Sequence, residues 1–496
     1  MTAKDFKMGK YGVSSNTRAP TTFRPMRIAF HGAAGFVTGS CHLLTLDDGF
    51  RILFDCGLYQ GYDKGLEDFN QTFNFDPASI DVMVLSHAHI DHCGRLPKLV
   101  KEGFKGKIYC THATRSLAGI LLLDSAHIQE KDAEYYNKRQ TRRRGAGKFT
   151  PREPLYTKKD VQLAMRQFVA LPYDTRMFLH DSATLEFRDA GHILGSATVN
   201  LRIDGRGTEE VRFGFTGDVG RPERPILRDP VQMPEHDFLL TESTYGDRDH
   251  VDLPAEKGRF LDIIKDTCER RGGKLIIPAF SVGRTQEIVY LLDQLENEGK
   301  LSKRIPVYVD SPLAINATTI YGNHPECYDS DLHEYLLTDP NPFGFNTLTY
   351  TRKVEDSKAI NSSKGPAIII ASSGMANAGR IKHHLANNLA DPKNTAFIVG
   401  YCAPGTPGAR LRNGEETVKL FGEEVPVNAK VEVMDSFSAH ADRQELVRFL
   451  DNQKGAKRTV LVHGDDDARA AFGDQLQAAG HSKVTSPKLY EEVELK

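Results

Sequence analysis

No apolar run in the sequence approaches the ~20 residues that a membrane-spanning helix needs, and no apolar segment of signal-peptide type stands near its start. The chain therefore reads as globular and water-soluble. No CxxC pair occurs among the seven cysteines, Cys41, Cys56, Cys93, Cys110, Cys268, Cys327 and Cys402. Nothing therefore suggests a thiolate zinc site or a dithiol redox centre, and the cysteines read as scattered, reduced core residues, as in a cytoplasmic protein. An excess of positive charge is lacking too. A net charge of -2 and an isoelectric point near 6.8 argue against a protein that coats nucleic acid electrostatically, so any such contact must be local. Internal repeats and low-complexity tracts are absent.

What is present is a chain of 496 residues, too long for one ordinary core, so two domains or one interrupted by an insertion are expected. Residues 1–25 carry Lys4, Lys7, Lys10, Arg18 and Arg24 against the single acid Asp5 and read as a flexible tail. From Met26, short apolar runs alternate with glycine-rich turns (MRIAFHGAAGFVTGSCHLLTL, FRILFDCG, SIDVMVLSH), which predicts a sheet built from sequential hairpins. Between Leu117 and Arg144 the pattern turns helical and charged. It ends in Lys138, Arg139, Arg142, Arg143 and Arg144 before a Gly-Ala-Gly break, the pattern of a surface helix whose charge run is ordinarily solvated. Over about 246–434 helix and strand alternate, predicting a mostly parallel sheet flanked by helices. After that come strand, helix, strand and a closing helix near Asp466 to Gly480.

One segment concentrates chemistry. Ser86-His87-Ala88-His89-Ile90-Asp91-His92 directly follows the strand DVMVLS, so three imidazoles and a carboxylate share a loop at a strand's C-terminal end. Neutral imidazole and carboxylate are zinc ligands, and crowding four of them without a shared cation is costly. Two later strand ends repeat the theme: His192 in DAGHILGSA and Asp218 in FTGDVG. Taken singly, a satisfied core histidine and a turn-forming aspartate are the commoner readings; their order after the first motif reverses those odds.

The series HxHxDH, GHxLGS and TGD resembles that of the metallo-β-lactamase superfamily over residues 26–225. The resemblance implies an αββα sandwich with two zinc ions: His87, His89, His192 and Asp218 on one, and Asp91, His92, shared Asp218 and a downstream histidine on the other. His463 in TVLVHGDDD and His440 in DSFSAHADRQE resemble signatures of the β-CASP nucleases, as do LLTESTYGDR with Glu242, PAFSVGRTQE with Arg284, and ASSGMANAGRIKHHL with His383 and His384. Within that branch the chain is most similar to relatives of the pre-mRNA cleavage endonuclease, with ribonuclease J more distant. The implied architecture is a flexible tail 1–25, a metallo-β-lactamase part 26–245, an inserted α/β cap 246–434, and a returning metallo-β-lactamase part 435–496. DNA-directed members typically lack a histidine at the last motif, so His463 favours RNA.

The mechanism this implies is hydrolysis of a phosphodiester by two metal ions, with Asp91 and bridging Asp218 in the centre. His440 is the candidate general acid for the leaving 3' oxygen, and Glu242 orients it. Endonucleolytic cutting that leaves 5' phosphate and 3' hydroxyl is the expectation. Ser281 and Arg284, Ser373 and Arg380, and His383 or His384 are the candidate contacts to phosphates of a single strand of RNA in a cleft between cap and catalytic part. A DNA nuclease or a small-molecule hydrolase of the same fold is the alternative. Nothing in the sequence fixes whether chains pair, and a homodimer stays open.

Overall fold

The structure is a computed structural model that describes residues 25–61, 65–145, 147–204, 209–250, 254–400, 402–403, 405–434 and 438–496. The tail expected over 1–25 lies outside the described residues but for Pro25. Among the described residues no helix is long and apolar enough to cross a membrane.

Two seven-stranded sheets lie face to face. In the first, Glu492–Glu494, Arg27–Phe30, His42–Thr45 and Arg51–Phe54 pair antiparallel, and Val82–Val84, Lys107–Thr111 and Phe168–Leu171 continue it in parallel. The hairpin expectation thus holds for three strands and fails at Val82–Val84. The long excursion after Phe54 lets the chain cross over and return in the same direction, which a tight turn forbids. In the second sheet, Val484–Thr485, Arg458–Leu461, Phe238–Thr241 and Val211–Phe215 are parallel, and Ala197–Ile203, Ala183–Asp189 and Met177–His180 follow antiparallel.

Alternation builds the core between them. Ile52 and Phe54 point inward from the first sheet onto Leu185, Phe187, Phe213 and Phe215 of the second, and Phe54 stacks on Phe213 at 5.4 Å between ring centroids. Truncating either ring to alanine would cost about 3–5 kcal/mol. The opposite face of the first sheet, with Leu53, Met83 and Ile108, is covered by Leu117, Leu121 and Leu122 of the helix His112–Arg144. Leu239 and Leu461 on the outer face of the second sheet pack on the helices Arg443–Phe449 and Asp466–Ala478. Four layers, αββα, result.

Between Thr241 and Arg458 the chain leaves this sandwich and forms a six-stranded, wholly parallel sheet in the order Leu348–Tyr350, Val307–Val309, Ala367–Ala371, Lys274–Pro278, Thr395–Val399, Lys430–Met434. Its central strands, Ala367–Ala371, Lys274–Pro278 and Thr395–Val399, are buried on both faces, as a sheet covered on both sides requires. Leu275 and Ile277 enter one cluster and Ile276 another. The helix Arg284–Asn297 follows the central strand and lies nearly buried along its length.

Candidate metal centre

Every ligand candidate sits just beyond the C-terminal end of a strand, at one rim of the sandwich. His87 and His89 follow Val82–Val84, His192 lies between Ala183–Asp189 and Ala197–Ile203, Asp218 follows Val211–Phe215, and His463 follows Arg458–Leu461. The rim is tightly packed backbone: a Cβ on Gly57 would stand 1.6 Å from the Asp91 carbonyl oxygen, and one on Gly220 1.9 Å from that of Gly191. Glycine is required there because the loops bearing the ligands touch main chain to main chain.

Two groups of ligand atoms converge. Those of His87, His89, His192 and Asp218 all lie within 4.8 Å of one another, as do those of Asp91, His92 and His463. Asp218 also groups with Glu242 and His463. Asp218 Oδ2 is 3.5 Å from His87 Nε2, 3.6 Å from His192 Nε2 and 3.3 Å from His92 Nε2, so this carboxylate stands between the groups. His89 Nδ1 faces His87 Nε2 at 3.1 Å and His192 Nε2 at 3.2 Å, and His92 Nε2 faces His463 Nε2 at 3.0 Å.

The opposite ring nitrogens identify the tautomers. His92 Nδ1 meets Asp55 Oδ2 at 2.7 Å, and His192 Nδ1 donates to the Ala439 carbonyl at 3.3 Å. His463 Nδ1 donates to the Thr244 hydroxyl at 3.0 Å, which in turn donates to Glu242 at 2.6 Å. With Nδ1 carrying the proton, Nε2 of His192 and of His463 turns a lone pair to the centre, and that of His92 does so once its second proton is lost, the arrangement in which outer partners orient metal-binding imidazoles. Asp55 is a residue that the sequence reading missed. It is fully buried, accepts from the Ser86 backbone at 2.8 Å, and stands where FRILFDCG ends a strand in an acid. That was the same strand-end signal as at Asp218.

Electrostatics favour a cation here. Burial drives the His87 and His192 imidazoles well below the ordinary range, and it brings His89 to about 4, so all three are neutral, as ligands to a metal must be. Asp91 is held at about 2, because His463, His92 and His89 outweigh the effect of its burial. Asp218 stays ionised for the same kind of reason, with His463 and His92 the main counterweights to its burial. His92 goes the other way: Asp218 and Asp55 outweigh burial and raise it, so it would have to give up a proton to serve as a ligand. Asp218 Oδ1 is buried and accepts no hydrogen bond. A buried carboxylate with one oxygen orphaned and the other facing three imidazole Nε2 atoms fits a borderline-soft divalent ion such as zinc.

His440 stands at the edge of this centre, its Nε2 3.9 Å from Asp218 Oδ2 and its Nδ1 3.0 Å from Glu242 Oε2. Burial opposes its charge, but Glu242, followed by Asp218 and Asp91, prevails and lifts it to about 9. Glu242 is fully buried and also accepts from the Val219 backbone.

The expected phosphate contacts fare differently. Arg284 opens its helix but is buried in ion pairing with Glu287, and His384 is fully buried between Asp310 (2.7 Å) and Asn361 (3.0 Å). Neither side chain is open to a phosphate, because each is spent on a buried carboxylate. Arg380 likewise pairs with Asp310 and with the Thr351 and Arg352 carbonyls. Ser281 shares its hydroxyl with Ser372 at 2.6 Å. Ser373 is partly exposed against Asn377, and the His383 ring packs on Phe421. The basic run Arg142–Arg144 ends the helix His112–Arg144 in an exposed position.

Three family models match the chain: "Metallo-beta-lactamase superfamily" over residues 34–269, "Beta-Casp domain" over 285–411, and "Zn-dependent metallo-hydrolase RNA specificity domain" over 424–487. The chain is 37% identical over 455 residues to Ribonuclease TTHA0252 of Thermus thermophilus, covering 92% of this chain and 97% of that protein. It is 30% identical to Transcription termination factor FttA of Methanocaldococcus jannaschii, over 91% of this chain and 69% of that one. Cleavage and polyadenylation specificity factor 73 of Drosophila melanogaster is also 30% identical, over 90% and 61%. A crystal structure of a protein of unknown function from Enterococcus faecalis superposes with a TM-score of 0.54 at 10% identity, covering 95% of this chain and 100% of that one, which bears on the fold alone.

Proposed function

Since this chain belongs to the zinc-dependent β-CASP branch of the metallo-β-lactamase superfamily, we propose that it is a ribonuclease that hydrolyses phosphodiester bonds of single-stranded RNA. The observation that carries the reading is one carboxylate, Asp218, standing between two groups of ligand atoms with a glutamate-backed imidazole, His440, beside it. We take residues 246–434 as the inserted cap and assign two zinc ions per chain. His87, His89, His192 and Asp218 would hold one, and Asp91, His92, Asp218 and His463 the other.

When bound, such a pair of ions supplies charge neutralisation and lowers the pKa of water at an in-line displacement on phosphorus. The chain's own residues do the rest. Asp55, Ala439 and Thr244 hold the ligand rings in the tautomers described. Glu242 keeps His440 protonated at Nδ1 and fixes the ring, leaving Nε2–H to protonate the departing 3' oxygen. Such a step leaves 5' phosphate and 3' hydroxyl ends, and we take it to act at internal bonds.

The experiment offers matched single-stranded RNA and DNA, 5'-labelled and with both ends blocked, to zinc-loaded wild type and to Asp218→Ala. Cutting of RNA alone, absent in the variant, is expected. Cutting of DNA moves the assignment to a DNA nuclease, and no cutting of the end-blocked strands removes the endonuclease reading.

A further inference from the structure

His440 is not carried by a helix or strand of its own, and what holds it is unusual. Three consecutive carbonyls, those of Ser438, Ala439 and His440, are each gripped by a donor from elsewhere in the fold. Ser438 accepts from the Arg224 guanidinium. Ala439 accepts from His192 Nδ1 at 3.3 Å and from the Arg221 backbone at 3.3 Å. His440 accepts from His250 Nε2 at 3.1 Å. A bridge between Gly220 and His440 completes the clamp.

Of these donors Arg224 reaches furthest. Its second terminal nitrogen pairs with Glu287 in the first turn of the helix Arg284–Asn297, and Glu287 is shared with Arg284 at 3.1 Å. All three side chains are buried. Two guanidiniums on one carboxylate form a costly way to join surfaces that apolar residues could join as well. What only a guanidinium does is span two acceptors with fixed geometry. Here those acceptors are a carboxylate on the parallel-sheet unit and a backbone oxygen two residues from His440.

We infer that Arg224, oriented by Glu287, is a positioning residue for His440, so that the seating of the parallel-sheet unit sets the general acid. The inference rests on the reading of His440 as a general acid. It touches neither the ligand set nor substrate binding. Loss of the link removes the hold at Ser438 and loosens His440, while the donors to Ala439, His192 and the Arg221 backbone, remain to keep that carbonyl and the ring behind it in place.

The test compares leaving groups on the full-length, zinc-loaded protein. Ribose oxygen needs a proton to depart; nitrophenolate does not. For Arg224→Met and Glu287→Gln, kcat on a single-stranded RNA is expected to fall about ten- to hundredfold, part of what a general acid contributes. KM and metal content stay as in wild type, and hydrolysis of bis(p-nitrophenyl) phosphate changes little. Arg224→Lys, which keeps a donor to Ser438, recovers part of the loss. Equal loss on both substrates, or loss of metal, reduces the triad to structural glue and overturns the inference. So does unchanged cleavage of RNA. His440→Ala is the reference: if it too lowers both substrates equally, the general-acid reading falls and takes this inference with it, whereas a split there without one in Glu287→Gln overturns the inference alone. Should Arg224→Met fail to fold, Glu287→Gln carries the test.

Discussion

The side chains at the centre divide by what lies behind them. Two rings have a buried carboxylate behind Nδ1, His92 with Asp55 and His440 with Glu242, whereas a carbonyl backs His192 and a hydroxyl His463. Glu242→Gln keeps the shape and removes the charge that holds His440 protonated. We expect kcat on RNA to fall about a hundredfold, as for loss of general-acid catalysis, with metal content retained; turnover of Glu242→Gln within a few-fold of wild type would remove His440 from that role. A histidine far from the centre sets a separate pH dependence. His236 is 6% exposed, and burial, partly offset by its bond to Gln453, lowers it to about 4. The unfolded chain takes up this proton near the ordinary value of about 6.5, before the folded one does, so the contribution to stability is complete above that pH and is lost as pH falls toward 4. Between pH 7 and pH 5 the loss is about 2 kcal/mol. Denaturant titration of wild type and His236→Asn at both pH values checks this: the variant should lose about 2 kcal/mol less, and parallel losses would refute the assignment.

The elements show why strand ends were legible in the sequence and other features were not. His87 to His92, His192, Asp218 and His463 each follow a short apolar run directly, and position after a strand is a local property. Pairing direction is not local. Nothing within DVMVLS says that it runs parallel to FRILF, which depends on the path of the intervening residues. Burial is not local either: Glu287 stands three residues after Arg284 and could be read as its partner, but that the pair is buried could not, and Asp310, the partner of His384, comes from a strand end that spacing does not reveal. Asp55 was visible as a strand-end acid but lay outside the motif. The rim between elements gives a sharp prediction at Gly57, whose absent side chain admits the Asp91 carbonyl. Gly57→Ala forces the helical turn Ile90–Cys93 outward, at a cost of about 3 kcal/mol by the measure of overpacked cores. Zinc measured per chain should drop with it, and a variant of wild-type stability and metal content would show that the loop gives way freely.

Across the whole molecule, the centre ties together segments that are otherwise remote in sequence, from His87 to His463. Metal that binds only the folded arrangement therefore stabilises all of it by mass action. At a free metal concentration a thousandfold above the dissociation constant the gain is about 4 kcal/mol. Chelation should accordingly lower the thermal midpoint by several degrees, zinc should restore it, and Asp218→Ala should show neither effect. A midpoint indifferent to chelator would mean that the centre is held by protein contacts alone.

The same spread of ligands has a consequence during synthesis. The first group of four is complete once residue 218 has been made, but His440 and His463 come roughly 220 to 245 residues later. At about 5–20 residues per second, a growing chain spends on the order of 10–50 s with half a centre and no acid. On the proposed assignment, the growing chain thus lacks its acid until residue 440, and its last ligand until residue 463, has been made.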